Sequence, residues 1–237
     1  MNSRQWHICV LIPARNEELL LPRCLESIIE AQMMLPANTT CEIIVAVDFS
    51  NDRTQEIATR HLEGRGVAVC TEAGMVGQAR ALAAHIGLQR YRGALRRCWI
   101  ANTDADCCVP HSWLANQLSL ANEGFEAIAG TVDVDDFAEH RVGVDLLFRS
   151  SYIINADGTH PHVHGANLGI RADAYRNAGG WAGLCTGEDH DLWNRLGNMG
   201  MRRISTNAVN VITSGRRMGR APRGFAEALA VHNEFVI

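Results

Sequence analysis

Residues 98–110 read CWIANTDADCCVP, an apolar run that ends in two aspartates, Asp104 and Asp106, one residue apart. Two carboxylates this close repel each other unless a cation, an arginine or water screens them. Two kinds of site fit. One is a solvated turn, where Asp is common. The other is a D-x-D turn that gives oxygen ligands to a hard divalent ion, Mg2+ or Mn2+, while waters and phosphate oxygens complete the shell. A second acidic cluster, Glu188, Asp189 and Asp191 in TGEDHDLWNRLGNMG, falls at an expected helix start. Negative charge is stabilised there by the dipole, so capping alone could place all three. His160, His162 and His164 alternate in HPHVHGANLG as a strand would present them on one side, but no cysteine or carboxylate closes a zinc set. Arg216, Arg217, Arg220 and Arg223 are spaced by Gly215, Gly219 and Gly224, either as a flexible lid for a diphosphate or as a solvated connector.

These groups need a scaffold, and the patterning supplies one. Short apolar runs at 7–12, 41–47, 67–70 and 97–102 read as strands. Between them, Leu21, Leu25, Ile28, Ile29 and Gln32 have helical spacing before Pro36, residues 51–66 read as a helix stopped by Gly64 and Gly66, and 77–91 as a helix with a small-residue face. The alternation predicts an α/β fold with a mostly parallel central sheet. In such sheets ligands bind beyond the carboxyl ends of the strands. Four polar loops fall on that edge: PARNEE (13–18), DFSNDRT (48–54), TEAGMVGQAR (71–80) and TDADCCVP (103–110). Neither G-x-x-x-x-G-K-[ST] nor G-x-G-x-x-G occurs, which removes the main support for a nucleotide hydrolase or a dinucleotide oxidoreductase.

The ordered set IPARNEE, DFSNDRT, GQARALAAHIG, TDADCCVP, GANLGIRADAYRNAGGW and GEDHDLWNRL resembles glycosyltransferase family 2, in particular its soluble, non-processive bacterial members, over roughly residues 7–205. The resemblance implies a GT-A-type, Rossmann-like three-layer sandwich. It implies transfer of one sugar from a nucleotide-diphosphate sugar to an acceptor hydroxyl, with a divalent metal, Mn2+ or Mg2+, as cofactor. Pro13, Ala14, Arg15, Asn16, Glu17, Asp48, Gly77, Arg80, Asp104 and Ala105 would then line the nucleotide site. Asp106, with Asp104, would hold the metal; Cys107 stands where a third acidic residue is frequent. His164, Gly165, Ala166 and Asn167 would meet the donor sugar or acceptor. Asp189 would be the base, assisted by Glu188, and Arg216, Arg217 and Arg220 would close on the diphosphate. The Q-x-x-R-W motif of processive members is missing, and VITSGRR lacks the metal-binding histidine of some relatives.

Composition agrees with one domain over 1–237, divided into a nucleotide-binding half (1–110), an acceptor and catalytic half (111–212), and a basic loop with a C-terminal helix (213–237). The 237 residues are 47% hydrophobic and 20% charged, enough for a full core. A net charge of -4 argues against a general nucleic-acid partner. No apolar run is long enough for a membrane span or a secretory signal, and eight scattered cysteines suit a reducing compartment. A cytoplasmic protein is expected, whose acceptor is in solution or at a membrane surface. Two alternatives remain at the level of sequence: a transferase-like module without turnover, and a sugar-phosphate nucleotidyltransferase, which here lacks its glycine- and lysine-rich N-terminal signature.

Overall fold

The computed structural model describes residues 6–220 and 224–236, so Arg223 lies outside the described residues. The first half alternates strand and helix: β1 (His7–Ala14), α1 (Leu21–Met33), β2 (Thr40–Asp48), α2 (Thr54–His61), β3 (Gly66–Thr71), α3 (Val76–Arg90) and β4 (Cys98–Asn102). All four expected strands are present. The second helix is shorter than its sequence pattern. Asp52 accepts the Thr54 amide and hydroxyl in a turn that delays the helix start, and Gly64 at φ 72° follows its end.

The second half adds α4 (Trp113–Asn122), β5 (Ala127–Val134), α5 (Val144–Ser151), β6 (Leu168–Arg171), α6 (Ala172–Asn177), α7 (Glu188–Asn198), β7 (Arg203–Thr213) and α8 (Phe225–Val231). One seven-stranded sheet results, in the order β3-β2-β1-β4-β6-β5-β7. Among the described strands only β6 runs antiparallel to its neighbours; the other pairings are parallel.

Period-two alternation builds the two faces. Along β1, Ile8, Val10 and Ile12 enter one apolar layer with α1, α2 and α4, while Cys9 and Leu11 enter the opposite layer with α3, α6 and α7. Fully burying each such side chain stabilises the fold by about 1.5–3 kcal/mol. A third cluster, Val134, Val144, Phe148 and Leu229, fastens α5 and α8 beside the end of β5.

Three features run against simple patterning. Met199, at helical spacing from the buried Leu192 and Leu196 of α7, is 45% exposed because the helix has ended before it. His85, flanked by alanines on α3, is exposed. The segment holding His160, His162 and His164 forms no strand, yet the rings still stack, with successive centroids 5.7 and 5.9 Å apart. Among the described residues no helix is long and apolar enough to cross a membrane, and all eight cysteines are free.

Candidate active site

A cavity of about 440 Å3 opens at the carboxyl edge of β1, β2 and β4. Its floor comes from the loops after those strands: Pro13, Ala14, Arg15 and Glu17 after β1, Asp48 at the end of β2, and Asp104, Ala105 and Asp106 after β4. Parallel strands of nearly equal register bring these loops together, as the sequence pattern predicts. Asp48 accepts the Gly74 amide at 3.0 Å, joining the second loop to the third.

Two arginines answer the repulsion between Asp104 and Asp106. Arg80, on the first turns of α3 and only 2% exposed, donates through Nη2 to Asp104 Oδ1 at 2.5 Å. Its Nε lies 3.5 Å from Glu188 Oε1, and its guanidinium lies 5.4 Å from the Trp181 ring. Arg216 puts Nη2 2.7 Å from Asp106 Oδ2 and Nη1 2.7 Å from Glu17 Oε1. Burial raises the carboxyl pKa of Glu17 to about 6, Arg216 opposing it, and burial likewise raises those of Asp106 and Glu188.

The opposite wall carries the second acidic cluster. Gly187 at φ 74° turns the chain into α7, whose first residues, Glu188 and Asp189, line the cavity. Asp189 Oδ2 accepts the Gly165 amide at 2.8 Å. Asp191 faces away and pairs with Arg195 at 2.6 Å, while Arg195 also holds the carbonyls of Ala178 and Gly180. His164, Gly165 and Ala166 complete this wall; a Cβ on Gly165 would stand 2.7 Å from Arg80 Nη2, so glycine leaves room for that arginine. The His164 Nε2 meets the Tyr152 hydroxyl at 3.0 Å, and burial pushes the imidazole down to about 4, with Asp189 opposing.

Four expected site residues have other surroundings. Asn167 is buried, with its amide donating to the Thr131 and Val209 carbonyls and its oxygen accepting from Trp113; it braces β5 and β7 instead of facing the cavity. Gly77 packs where a Cβ would meet the Ala182 carbonyl oxygen at 2.2 Å, so its role is helix packing. Asn16, at φ 51°, fixes the loop: its Oδ1 accepts the Asn51 amide and its carbonyl accepts from Arg220. Arg217 is exposed, with its amide on Glu139, and its side chain borders a separate shallow groove with Arg141 and Glu234. Conversely, Val132, Thr213 and Phe225 line the cavity from strands and a helix distant in sequence, with no local motif to mark them.

A family model for glycosyl transferase family 2 matches residues 9–179. The chain belongs to this family. Solved glycosyltransferase structures share the GT-A-type fold of this family member. Staphylococcus aureus TarS 1-349 in complex with UDP-GlcNAc is 16% identical with a TM-score of 0.64, over 90% of this chain and 60% of that one. GalNAc-T7 with UDP, GalNAc and Mn2+ is 16% identical with a TM-score of 0.68, over 91% and 45%. The mannosyltransferase PcManGT from Pyrobaculum calidifontis, in complex with GDP-Man and Mn2+, is 20% identical with a TM-score of 0.64, over 95% and 69%. This chain spans 36–61% of the length of the TarS chains it matches. No curated protein sequence matches it.

The family's metal can be tested against these side chains. Among the described residues no three His, Cys, Asp or Glu groups converge as a metal cage. Asp106 and Glu17 nevertheless hold one guanidinium between them, a stand-in cation, so the donor set fits a hard ion that takes few protein ligands and completes its shell with phosphate oxygens and water.

Proposed function

We propose that this family 2 glycosyltransferase moves one sugar from a nucleotide-diphosphate sugar to an acceptor hydroxyl, with inversion at the anomeric carbon and with Asp189 as the base. The observation that carries the reading is the facing of two carboxylate groups across one cavity: Asp104 and Asp106 on the strand edge, Glu188 and Asp189 on the first turn of α7.

Asp48 and the Pro13–Glu17 loop bind the nucleoside end; the complexes of structural neighbours with UDP-GlcNAc and GDP-Man support a nucleotide-sugar donor. Asp106, with help from Glu17, would hold a divalent ion, whose charge would supply neutralisation of the negative charge that grows on the departing diphosphate. Arg80 positions Asp104 and Glu188 at once and keeps the two from repelling across the donor-sugar position.

Asp189 has its orientation set by the Gly165 amide. It takes the proton of the acceptor hydroxyl as that oxygen forms its bond to the anomeric carbon; the bond from that carbon to the diphosphate oxygen breaks on the opposite face, and the electron pair leaves with the nucleotide. Glu188 binds or orients the acceptor. A reducing, cytoplasmic setting suits the eight free thiols.

The test is a thermal-shift panel of UDP-, GDP- and dTDP-sugars with Mn2+, followed by donor hydrolysis with whichever nucleotide stabilises the chain. One nucleotide should raise the melting temperature and be released as its diphosphate. A panel without any stabilising nucleotide would overturn the reading.

A further inference from the structure

The segment after β7 returns to the start of the chain. Arg216 and Glu17 are 199 positions apart in sequence and meet at 2.7 Å. Glu17 is 4% exposed and Asp106 8%, so both carboxylates have lost most of their water. Leaving two such groups without a cation is strongly unfavourable. Arg216 supplies that cation, one nitrogen to each. Its own burial disfavours its charge, and Asp106 and Glu17 outweigh that.

The backbone beside it is pinned. The Gly215 amide donates to Asp135 Oδ1 at 2.9 Å, the Gly215 carbonyl lies 2.9 Å from His140 Nε2, and a Cβ there would meet the Asp136 carbonyl oxygen at 1.8 Å. Arg216 can therefore change partners by turning its side chain about a fixed root, without moving β7. Ser214, Arg216 and Arg220 all line the cavity, within reach of a ligand bound over Asp106.

We propose that Arg216 is an exchangeable counter-cation: in the ligand-free enzyme it neutralises Asp106 and Glu17 in place of the divalent ion, and it gives them up to pair with the diphosphate. A guanidinium and a divalent ion cannot share the same two carboxylate oxygens without strong repulsion. Arg216 thus keeps the ion weakly bound until a diphosphate offers it a new partner, so ion and nucleotide bind cooperatively, each raising the affinity of the other by the same factor. This rests on the reading of Asp106 as the carboxylate that holds the ion in the transferase.

The experiment measures Mn2+ binding by electron paramagnetic resonance at pH 8, with and without UDP or GDP, in the wild-type chain, Arg216→Gln, Arg216→Lys and Arg60→Gln. Arg60 is exposed on α2 and controls for the loss of one positive charge. Without nucleotide, Arg216→Gln should bind Mn2+ at least about tenfold more tightly than wild type, while Arg216→Lys and Arg60→Gln stay near it. With Mn2+ saturating, Arg216→Gln should bind the diphosphate more weakly than wild type. If Arg216→Gln is unstable, Mn2+ should raise its melting temperature by more than it raises that of the wild type. Unchanged or weaker Mn2+ binding in a folded Arg216→Gln overturns the exchange. So does wild-type nucleotide binding that is equally tight with and without Mn2+, since Arg216 would then replace the ion permanently. Neither result touches the transferase reading, which fails only if no nucleotide binds at all.

Discussion

Asp189 Oδ2 accepts the backbone amide of Gly165 at 2.8 Å, and its Oδ1 accepts the amide of His190. The first turn of α7 is thereby tied to the turn that leads into β6, and the carboxylate is held at one orientation on the cavity wall. Fixed geometry of this kind is what the proposed role of general base requires.

Asp189→Asn keeps an oxygen acceptor for one of these amides and removes the basic charge. Turnover should fall by about two to four orders of magnitude, the usual loss for a positioned base. Donor affinity, measured by calorimetric titration with Mn2+ present, should stay near wild type. Near-normal turnover with a competent acceptor would move the base to Glu188.

The proposed ion site predicts a contrast between neighbours. Asp106→Ala should weaken Mn2+-dependent nucleotide binding by at least about tenfold, equivalent to about 1.4 kcal/mol. Cys107→Ser should leave that binding unchanged, because Cys107 is buried behind the aspartate, its Sγ 3.8 Å from Asp106 Oδ1. Equal loss in both variants would mean that the turn, and not the carboxylate, carries the effect.

The strand edge was legible in sequence because each of its parts is local. β1 to β4 show as apolar runs, and the loops after them place Glu17, Asp48, Asp104 and Asp106 on one edge as soon as the sheet is known to be parallel. The acidic wall opposite was legible in the same way, since Gly187 and the acidic first turn of α7 are adjacent residues. What the residues did not reveal is long-range pairing. The meeting of Arg216 with Glu17 joins opposite ends of the chain, and Asn167 looked like a ligand contact because nothing near it in sequence shows that Trp113, Thr131 and Val209 consume its hydrogen bonds. Arg216 and Arg217 are adjacent and chemically equal, yet only the first turns inward. That choice is made by the anchoring of Gly215 and by Glu139 holding the Arg217 amide.

His164 gives a pH prediction. Its folded-state pKa of about 4 lies below the usual histidine value of about 6.5, first because of burial. A neutral folded histidine contributes its stability fully above the unfolded pKa and loses it as pH falls through the window from about 6.5 to about 4, where the unfolded chain binds the extra proton. His164→Gln should flatten that acid limb by on the order of 2 kcal/mol in urea melts. An acid limb of the same slope in both proteins would assign the acid sensitivity to other groups.

Arg80 should be the most sensitive single residue for stability. Its guanidinium bridges Asp104 on the strand edge to Glu188 on α7, and among the described residues it is the cation paired with Glu188. Arg80→Met removes that charge and leaves the buried Glu188 carboxylate facing Asp104. Breaking one partner of a buried pair typically costs about 3–5 kcal/mol. Arg80→Lys should recover only part of this, since a single ammonium cannot fork between two carboxylates as a guanidinium does. The double variant Arg80→Met with Glu188→Gln should be more stable than Arg80→Met alone, because the uncompensated charge is gone, and the two effects should be clearly non-additive. Urea denaturation of the wild type, Arg80→Met, Glu188→Gln and the double variant provides the cycle. A loss below about 1 kcal/mol in Arg80→Met, or strict additivity in the double variant, would show that the bridge between the two halves of the site adds little to the fold.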